Sequence, residues 1–249
     1  MTPPLLRPLT SQTDLRACVA LQRRIWGPDY TDVVPASILK IAAGLGGVVL
    51  GAFDADATTS LVGFVFGLTG VDKGVIVHWS HMLGVAPEAQ NCGIGRRLKE
   101  YQRAEVAKIG ATSILWTFDP LVARNAHLNI NVLGVRVSKY VPDMYGESES
   151  PLHRGIGTDR FVVSWSVDDA SVAQRRSEAA AAFDAQWSEK SLIQIPNDIA
   201  ALQASDMASA RAWRERTRAA FQSALGSGLQ VQGFRIQTQT NRGEYLLAR

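Results

Sequence analysis

Short apolar segments alternate with polar joints in the first third of the chain and indicate strands. Three apolar runs, over 47–54, 61–71 and 75–86, are separated by ADATTS and by DKG. Joints that are short, polar or glycine-containing favour an antiparallel meander of three strands. A shorter apolar run over 5–9 predicts one further strand before the meander.

Helical periodicity and capping residues predict three helices in the same part of the chain. Ser11 and Asp14 have the spacing of a capping box, and Gly27 closes the helix that follows them. The segment DVVPASILKIAAGLGG predicts a second, short helix. A third helix follows Gly95 and ends at Gly110. Its predicted apolar stripe is Ile94, Leu98, Tyr101, Ala104 and Ala107.

After this third helix, strands and helices alternate. The segment TSILWTF predicts a strand over 112–118, and VARNAHLNINVLG predicts a helix. Two more strands are predicted in VRVSKYV and RFVVSWSV. The whole order, β-α-α-β-β-β-α-β-α-β-β, has helical crossovers only in its second half. We therefore predict an α/β fold class with a mixed sheet.

The last third of the chain predicts a small appended unit. A polar, alanine-rich stretch over 168–190 indicates a linker or surface helix, and 191–249 has the pattern of a β-α-β-β extension. We thus predict a main domain over 1–167, then the linker, then the extension. The long helix of the extension has one apolar face, and its arginines are predicted to lie in solvent. They are Arg211, Arg214, Arg216 and Arg218.

Composition and charge indicate which partners and which cellular compartment to expect. The chain has 249 residues, is 46% hydrophobic and carries a net charge of +3, which gives no case for nucleic acid as a partner. The N-terminal MTPPLLRPLT has no signal-peptide pattern, and no apolar run is long enough for a membrane helix. Two cysteines make no disulfide framework, and no cluster has metal-ligand spacing. We expect a cytoplasmic protein without a metal.

The segment GVAPEAQNCGIGRRLKEY, residues 84–101, has the pattern of an anion-binding turn. Its strand ends before Pro87, its turn contains Gly93 and Gly95, and a helix begins there. Helix N-termini leave N–H groups unpaired and carry partial positive charge, so they bind phosphate oxygens. The segment does not match a nucleotide-binding P-loop, because it has no Lys followed by Ser or Thr after its glycines. The segment also departs from a dinucleotide-binding fingerprint, because it has no third glycine and does not follow a parallel βαβ unit. Asp119 nevertheless has the position expected of a ribose-binding acid.

The same segment resembles the acyl-CoA loop of the GNAT superfamily of N-acyltransferases. Gln90, Gly93 and Gly95 fill the pattern R/Q-x-x-G-x-G/A after a strand and a proline. The resemblance covers about 5–167 and implies a twisted sheet that splays at its centre, with loop amides that hold the CoA pyrophosphate. The segments SHMLGVAP, WTFDPL, RNAHLN and TDRF are similar to a bacterial group of predicted acetyl- or succinyltransferases.

The resemblance implies transfer of an acetyl or succinyl group from acyl-CoA to the amine of a small molecule, an amino acid above all. The co-substrate would be acetyl-CoA or another acyl-CoA. Its implied binding positions are Met82, Leu83, Gly84, Val85, Gln90, Asn91, Cys92, Gly93, Ile94, Gly95, Arg96 and Asn125. A non-catalytic acyl-CoA sensor with the same fold is the alternative.

Two residues are candidates for handling the acceptor amine. His81 precedes the implied pantetheine-binding strand segment, on the face opposite His78, and a neutral imidazole can accept an ammonium proton. A structural role for His81 stays open. Asp119 ends the next strand, where it would hold a substrate ammonium or form a turn before Pro120.

The departing thiolate needs a proton donor. Many GNAT members have a tyrosine where this chain has Ile130, so the proton comes from another tyrosine or from solvent. We favour Tyr145 as the acid and expect Tyr140 to pack in a strand. Arg160 and His153 are candidates for binding a carboxylate of the substrate, with solvated side chains as the alternative. We also expect a homodimer, and an extension that packs on the main domain or on a partner subunit.

Overall fold

The computed structural model describes residues 3–54, 59–146, 155–182 and 192–249. These residues fall into two compact units, Met1–Leu115 and Trp116–Arg249. This division lies within the predicted main domain, and the three-part organisation with its boundary at 167 stays a prediction.

The first unit contains the predicted strands and helices in the predicted order. They are β1 (Leu5–Pro8), α1 (Gln12–Trp26), α2 (Ala36–Gly44), β2 (Val48–Phe53), β3 (Leu61–Asp72), β4 (Val75–Val85) and α3 (Ile94–Lys108). A 3₁₀ turn, Pro87–Ala89, precedes α3, and β5 (Ser113–Phe118) follows it. The meander is confirmed, because β3 pairs antiparallel with both β2 and β4.

The second unit begins at Trp116, within β5, and continues with a short helix that is followed by a π-helical segment. Its elements are α4 (Ala123–Ala126), the π-helix His127–Leu133, β6 (Arg136–Val141), β7 (Arg160–Ser166), α5 (Asp169–Ala181), β8 (Leu192–Pro196), α6 (Ile199–Ser205), α7 (Met207–Gly226), β9 (Gln230–Gln237) and β10 (Arg242–Ala248). The sequence pattern predicts a helix over 122–134 but does not distinguish the π form. It also misses α6.

The strands form two sheets. Seven of them make a mixed sheet in the order β1-β2-β3-β4-β5-β7-β6, and the extension has a three-stranded sheet in the order β8-β10-β9. The predicted α/β class with a mixed sheet is therefore confirmed. Among the described residues, no helix combines the length and hydropathy that crossing a bilayer requires.

The extension packs through aromatic side chains within the second unit. Phe161 of β7 contacts Phe221 of α7 and Tyr245 of β10, with ring centroids 4.8 and 5.6 Å apart. The Tyr245 hydroxyl also donates to the Pro120 carbonyl at 2.7 Å. Burying three aromatic rings supplies most of the apolar area at such a contact. The predicted apolar face of α7 is thus covered by this core.

Gly67 in β3 leaves the space that the buried His78 ring occupies. A Cβ added at Gly67 would lie 2.2 Å from His78 Nε2 and 2.8 Å from Gln102 Nε2. We expect Gly67→Ala to lower the free energy of unfolding by about 1–3 kcal/mol, because inserting a methyl group into a packed core forces side chains out of place. Equilibrium unfolding in urea measures the change.

Gly70→Ala is the matched control on the same strand. No described atom lies within 4 Å of a Cβ added there. Equal losses for the two variants would show that strand propensity, rather than the space for His78, sets the cost at Gly67.

Candidate functional site

Two left-handed residues turn the chain from β4 into α3. Asn91 has φ of 63° and Gly93, the N-cap of α3, has φ of 73°. Asparagine and glycine adopt this conformation at lower cost than other residues. The Gln90 side chain also donates to the Val85 carbonyl at 3.1 Å and holds the turn against the end of the strand. The conformation of this loop is therefore set by residues within the loop itself.

The loop presents the positive end of a long helix to solvent. Helix α3 has 15 residues, and the N–H groups of a helix's first turn have no partner within the helix. Gly93 is exposed, and no described atom lies within 4 Å of a Cβ added there. Arg96 is exposed and forms an ion pair with Glu100 at 2.9 Å. This arrangement can bind a phosphate group.

The parallel pairing of β4 with β5 is short. In the described residues, the parallel pairing of these strands comprises His78 with Ile114 and Trp79 with Leu115. The segment Met82–Val85 pairs with β3 on its other edge. The predicted splay at the centre of the sheet is therefore present.

Gly84 lies under the side chains of α1. A Cβ added there would be 2.8 Å from Ile25 Cδ1 and 3.2 Å from the Trp26 ring. The absence of a side chain at Gly84 is thus explained by helix packing within the first unit.

His81 occupies a β-bulge of β4. Ser80 pairs with Gly67 and Met82 pairs with Phe66, so His81 is the extra residue between two paired positions. Bulges redirect a side chain and interrupt the ladder. The imidazole is exposed and its edge meets the Phe66 ring, with centroids 5.9 Å apart. Its partial desolvation lowers the pKa of His81 despite the opposing charge of Asp32, which favours the neutral base.

Asp119 lies in a buried ion-pair cluster of the second unit. Its Oδ1 accepts from the Leu121 amide at 2.8 Å, and its Oδ2 accepts from Arg214 Nη2 at 2.5 Å. Arg160 Nη1 lies 3.8 Å from the same Oδ2. The bond to Leu121 shows the turn at Asp119, and its contact with a substrate ammonium stays a prediction.

Arg214 is the largest departure from the sequence-based expectation for α7. The arginines of this helix are predicted to lie in solvent, but Arg214 is only 3% exposed. Its Nε donates to the Ile156 carbonyl at 3.0 Å, in addition to its bond with Asp119. The prediction of a solvated arginine is therefore wrong at Arg214. Opposite charges and carbonyl groups offset the cost of burying it.

Replacing Arg214 should destabilise the second unit. In Arg214→Met the Asp119 carboxylate stays buried without its closest cation, which costs about 3–5 kcal/mol of unfolding free energy. Arg216→Met is the matched control, because Arg216 is exposed and stacks on Trp213 at 3.6 Å. Stacking at an exposed site contributes less than about 1 kcal/mol. Chemical denaturation compares the two, and equal losses would contradict a special role for the Asp119 pair.

Tyr145 is exposed beside two polar side chains of the second unit. Its hydroxyl lies 2.9 Å from Thr117 Oγ1, and the Arg160 guanidinium lies 5.3 Å from its ring centroid. Arg160 itself is buried, and its Nη1 donates to the Asp159 carbonyl at 2.8 Å. Tyr145 therefore presents an exposed hydroxyl beside Thr117.

Tyr140 packs in the sheet, as expected. Its ring stacks on Phe221 with centroids 5.6 Å apart, and its hydroxyl donates to Asp159. Burial and the adjacent carboxylate raise the pKa of Tyr140, which makes it a poorer proton donor. Arg218 of α7 also bonds to Asp159, at 2.5 Å.

The remaining candidates lie in varied surroundings. Asn125 is half-buried at the start of α4, where its carbonyl accepts from the Asn129 side chain at 2.8 Å. Cys92 is a free, exposed cysteine in the loop. His153 lies outside the described residues. Within the described ranges, no group of three or more histidine, cysteine or acidic side chains could hold a metal ion.

Comparison with known proteins locates the fold. No protein-family model matches the chain, and a search of curated proteins gives no match. Solved structures do match. The ribosomal-protein-S18-alanine N-acetyltransferase from Escherichia coli is 16% identical with a TM-score of 0.51, over 66% of this chain and 94% of that one.

Two further solved structures have the same degree of similarity. Aminoglycoside 6'-acetyltransferase type Ii is 19% identical, with a TM-score of 0.51 over 66% of this chain and 97% of that chain. An acetyltransferase of the GNAT family from Streptococcus pneumoniae is 15% identical, with a TM-score of 0.52 over 66% of this chain and 99% of that chain. The chain therefore has the fold of the GNAT acetyltransferases.

Proposed function

We propose that this protein is an acyl-CoA-dependent N-acyltransferase that moves an acetyl or succinyl group to the amine of a small molecule, an amino acid in particular. The open, left-handed loop at the N-terminus of α3, within a GNAT fold, is the observation that carries this proposal. The resemblance of its sequence motifs to predicted bacterial acetyl- and succinyltransferases adds the acyl and acceptor classes.

The first unit supplies the binding half of this proposal. The amides of the loop from Gln90 to Arg96 would hold the CoA pyrophosphate, because they lie at the positive end of α3. In the described residues the recorded pairing of β4 with β5 ends at Trp79, so the edge of β4 over Met82–Val85 would offer N–H and C=O groups to pantetheine and to the thioester carbonyl, apart from the Val85 carbonyl, which accepts from Gln90. A hydrogen bond from such an N–H would stabilise the oxyanion that forms during attack. The CoA contact of Asn125 stays a prediction from the resemblance.

His81 is the proposed base. The acceptor ammonium gives a proton to the neutral imidazole, and the resulting amine attacks the thioester carbon. The tetrahedral intermediate then loses a second N–H proton to solvent and breaks its C–S bond, leaving the neutral amide and a CoA thiolate. The lowered pKa of His81 keeps it neutral before each turnover, and the bulge projects it away from the sheet core. General-base catalysis of this kind contributes about 10²–10⁴-fold to the rate.

Tyr145 is the proposed donor of the proton that the thiolate takes up. Its exposed hydroxyl and its contact with Thr117 support this role, whereas Tyr140 is held by Asp159. We assign Arg160 and His153 to a carboxylate of the substrate. Asp119 pairs with Arg214 and lies near Arg160. This pairing favours a role in positioning Arg160 over direct binding of the substrate ammonium.

An acyl-CoA sensor without turnover is the second candidate. Ile130 is fully buried where many GNAT members have their tyrosine acid, which favours a protein that binds acyl-CoA without transfer. The exposed bulge histidine favours the enzyme. We expect the protein to act in the cytoplasm, as a homodimer, without nucleic acid or membrane partners.

Thiol release from a panel of acyl-CoAs tests the proposed function. Acetyl-CoA and succinyl-CoA would each be combined with L- and D-amino acids, an aminoglycoside and a short peptide. We expect CoA release above the hydrolysis background with at least one amino acid. Tight binding of CoA by calorimetry, with no release for any pair, would instead support the sensor. Failure to bind CoA would contradict both.

A further inference from the structure

A chain of hydrogen-bonded polar side chains is buried in the first unit, next to the bulge. Lys99 Nζ donates to Ser80 Oγ at 2.8 Å, and Ser80 Oγ donates to Gln102 Oε1 at 2.8 Å. Gln102 Nε2 lies 3.0 Å from His78 Nε2, and His78 Nδ1 lies 2.9 Å from Thr69 Oγ1. These contacts join two strands, β3 and β4, to the helix α3.

Each hydrogen bond in this network can be given one donor and one acceptor without conflict. Since Gln102 Oε1 accepts from Ser80, the Gln102 amide nitrogen donates to His78 Nε2. Thr69 Oγ1 donates to the Gly46 carbonyl at 2.6 Å, so it accepts from His78 Nδ1–H. The network thus assigns a neutral imidazole with its proton on Nδ1. Burial and the neighbouring Lys99 lower the pKa of His78 to about 4, which agrees with that assignment.

The core is shaped around this chain. His78 and Gln102 are completely buried, and Lys99 is 3% exposed. Burial also lowers the pKa of Lys99 well below its usual value. Gly67 provides the space for the His78 ring, as described above. Apolar side chains of similar size would fill such a core at equal or greater stability, so stability alone does not explain this set of residues.

Through Ser80, this hydrogen-bonded network reaches the bulge that carries His81. Ser80 is the last paired residue before His81, and its hydroxyl is held from α3 by Lys99 and Gln102. Helix α3 is also the helix whose N-terminus forms the proposed acyl-CoA loop. The network therefore connects the helix behind that loop to the strand position beside the proposed base.

We propose that Lys99 and Gln102 are positioning residues that act on His81 through Ser80. By holding the Ser80 hydroxyl they fix the bulge, and with it the direction of the His81 imidazole relative to β4. This role rests on the proposed function, in which His81 is the base. It assigns a task to a buried lysine that the proposed mechanism does not otherwise use.

Kinetics of Lys99→Met test this role, with Lys108→Met as the matched control. Lys108 lies on the same helix, and its side chain is 67% exposed. We expect Lys99→Met to lower kcat roughly tenfold while the KM for acyl-CoA stays the same, and Lys108→Met to change neither. In a His81→Ala background, Lys99→Met should have almost no further effect on kcat. Additive losses in the double variant would overturn the proposal.

An NMR titration of the histidine side chains gives a readout that needs no turnover. Wild-type His81 should titrate below the ordinary value of about 6.5. In Lys99→Met and in Ser80→Ala we expect its pKa to rise toward that value as the imidazole becomes better solvated, with the Asp32 charge still nearby.

The two measurements separate failure of the positioning role from failure of the function. A lower melting temperature with an unchanged His81 titration would show that the hydrogen-bonded network only stabilises the core and does not position His81. A changed titration in a protein without acyl transfer would retain the positioning role while contradicting the enzyme. Should Lys99→Met fail to fold, Ser80→Ala with Ser80→Thr as the hydroxyl-retaining rescue gives the same comparison. Rescue by Ser80→Thr is the expected result, and its absence in a folded variant counts against the proposal.

Discussion

His81→Ala should lower kcat by about 10²–10⁴-fold while leaving the affinity for CoA close to that of the wild type. The loss is expected because the acceptor amine would have to reach the thioester already deprotonated. The imidazole contacts the Phe66 ring and is exposed beyond it, so its removal opens no large cavity in the core. Steady-state kinetics and CoA calorimetry measure the two quantities separately.

The pH dependence distinguishes a missing base from a damaged fold. In the wild type, kcat/KM should rise with pH through a pKa below about 6.5 and then level off, because the neutral imidazole is the active form. In His81→Ala the residual rate should keep rising toward the pKa of the acceptor amine. His127→Ala is the control. A His81→Ala enzyme with the wild-type profile would move the reaction to a base-free attack by neutral amine.

The sequence predicts the parts of this molecule whose structure is set locally. Pro87 after an apolar run, Gly93 in the left-handed region and the Ser11 capping box act over a few residues each. Their physical effects do not depend on distant partners. For this reason the strand order of the meander and the loop at the start of α3 are both predictable without the structure.

The buried polar residues are not predictable in the same way. The predicted stripe of α3 includes Ala104 and Ala107, which are exposed, whereas Lys99 and Gln102 are buried. Hydrophobic periodicity assigns lysine and glutamine to solvent, because their burial depends on partners from β3 and β4. The only local signal is their spacing of three residues beside Leu98 and Val106, which places them on one helix face.

Arg214 shows the same limit in the second unit. Four arginines within eight residues of α7 have the pattern of a solvated face, but Asp119 and Ile156 bind one of them in the core. The partners lie far away in the sequence, so no pattern within the helix distinguishes Arg214 from Arg216. The extension thus contributes to the surroundings of Asp119 and Arg160 through a contact that the sequence does not reveal.

Gly93→Asp should weaken binding of acyl-CoA far more than Gly93→Asn does. Both side chains tolerate the left-handed φ of 73° better than other residues, and both have the same size. The pair therefore differs by one negative charge at the N-cap of α3. If the loop amides hold a pyrophosphate, that charge repels it, and we expect the KM for acyl-CoA and the Kd for CoA to rise roughly 10- to 100-fold above those of Gly93→Asn.

Salt and truncated ligands identify the source of this loss. Repulsion between charges at an exposed loop is screened by salt, so the difference between Gly93→Asp and Gly93→Asn should shrink between low and high ionic strength. A ligand that keeps the pantetheine thioester but lacks the pyrophosphate should bind both variants equally. Equal Kd values for CoA in the two variants would show that the loop does not contact the phosphates, and the acyl-CoA assignment of the α3 N-terminus would then be wrong.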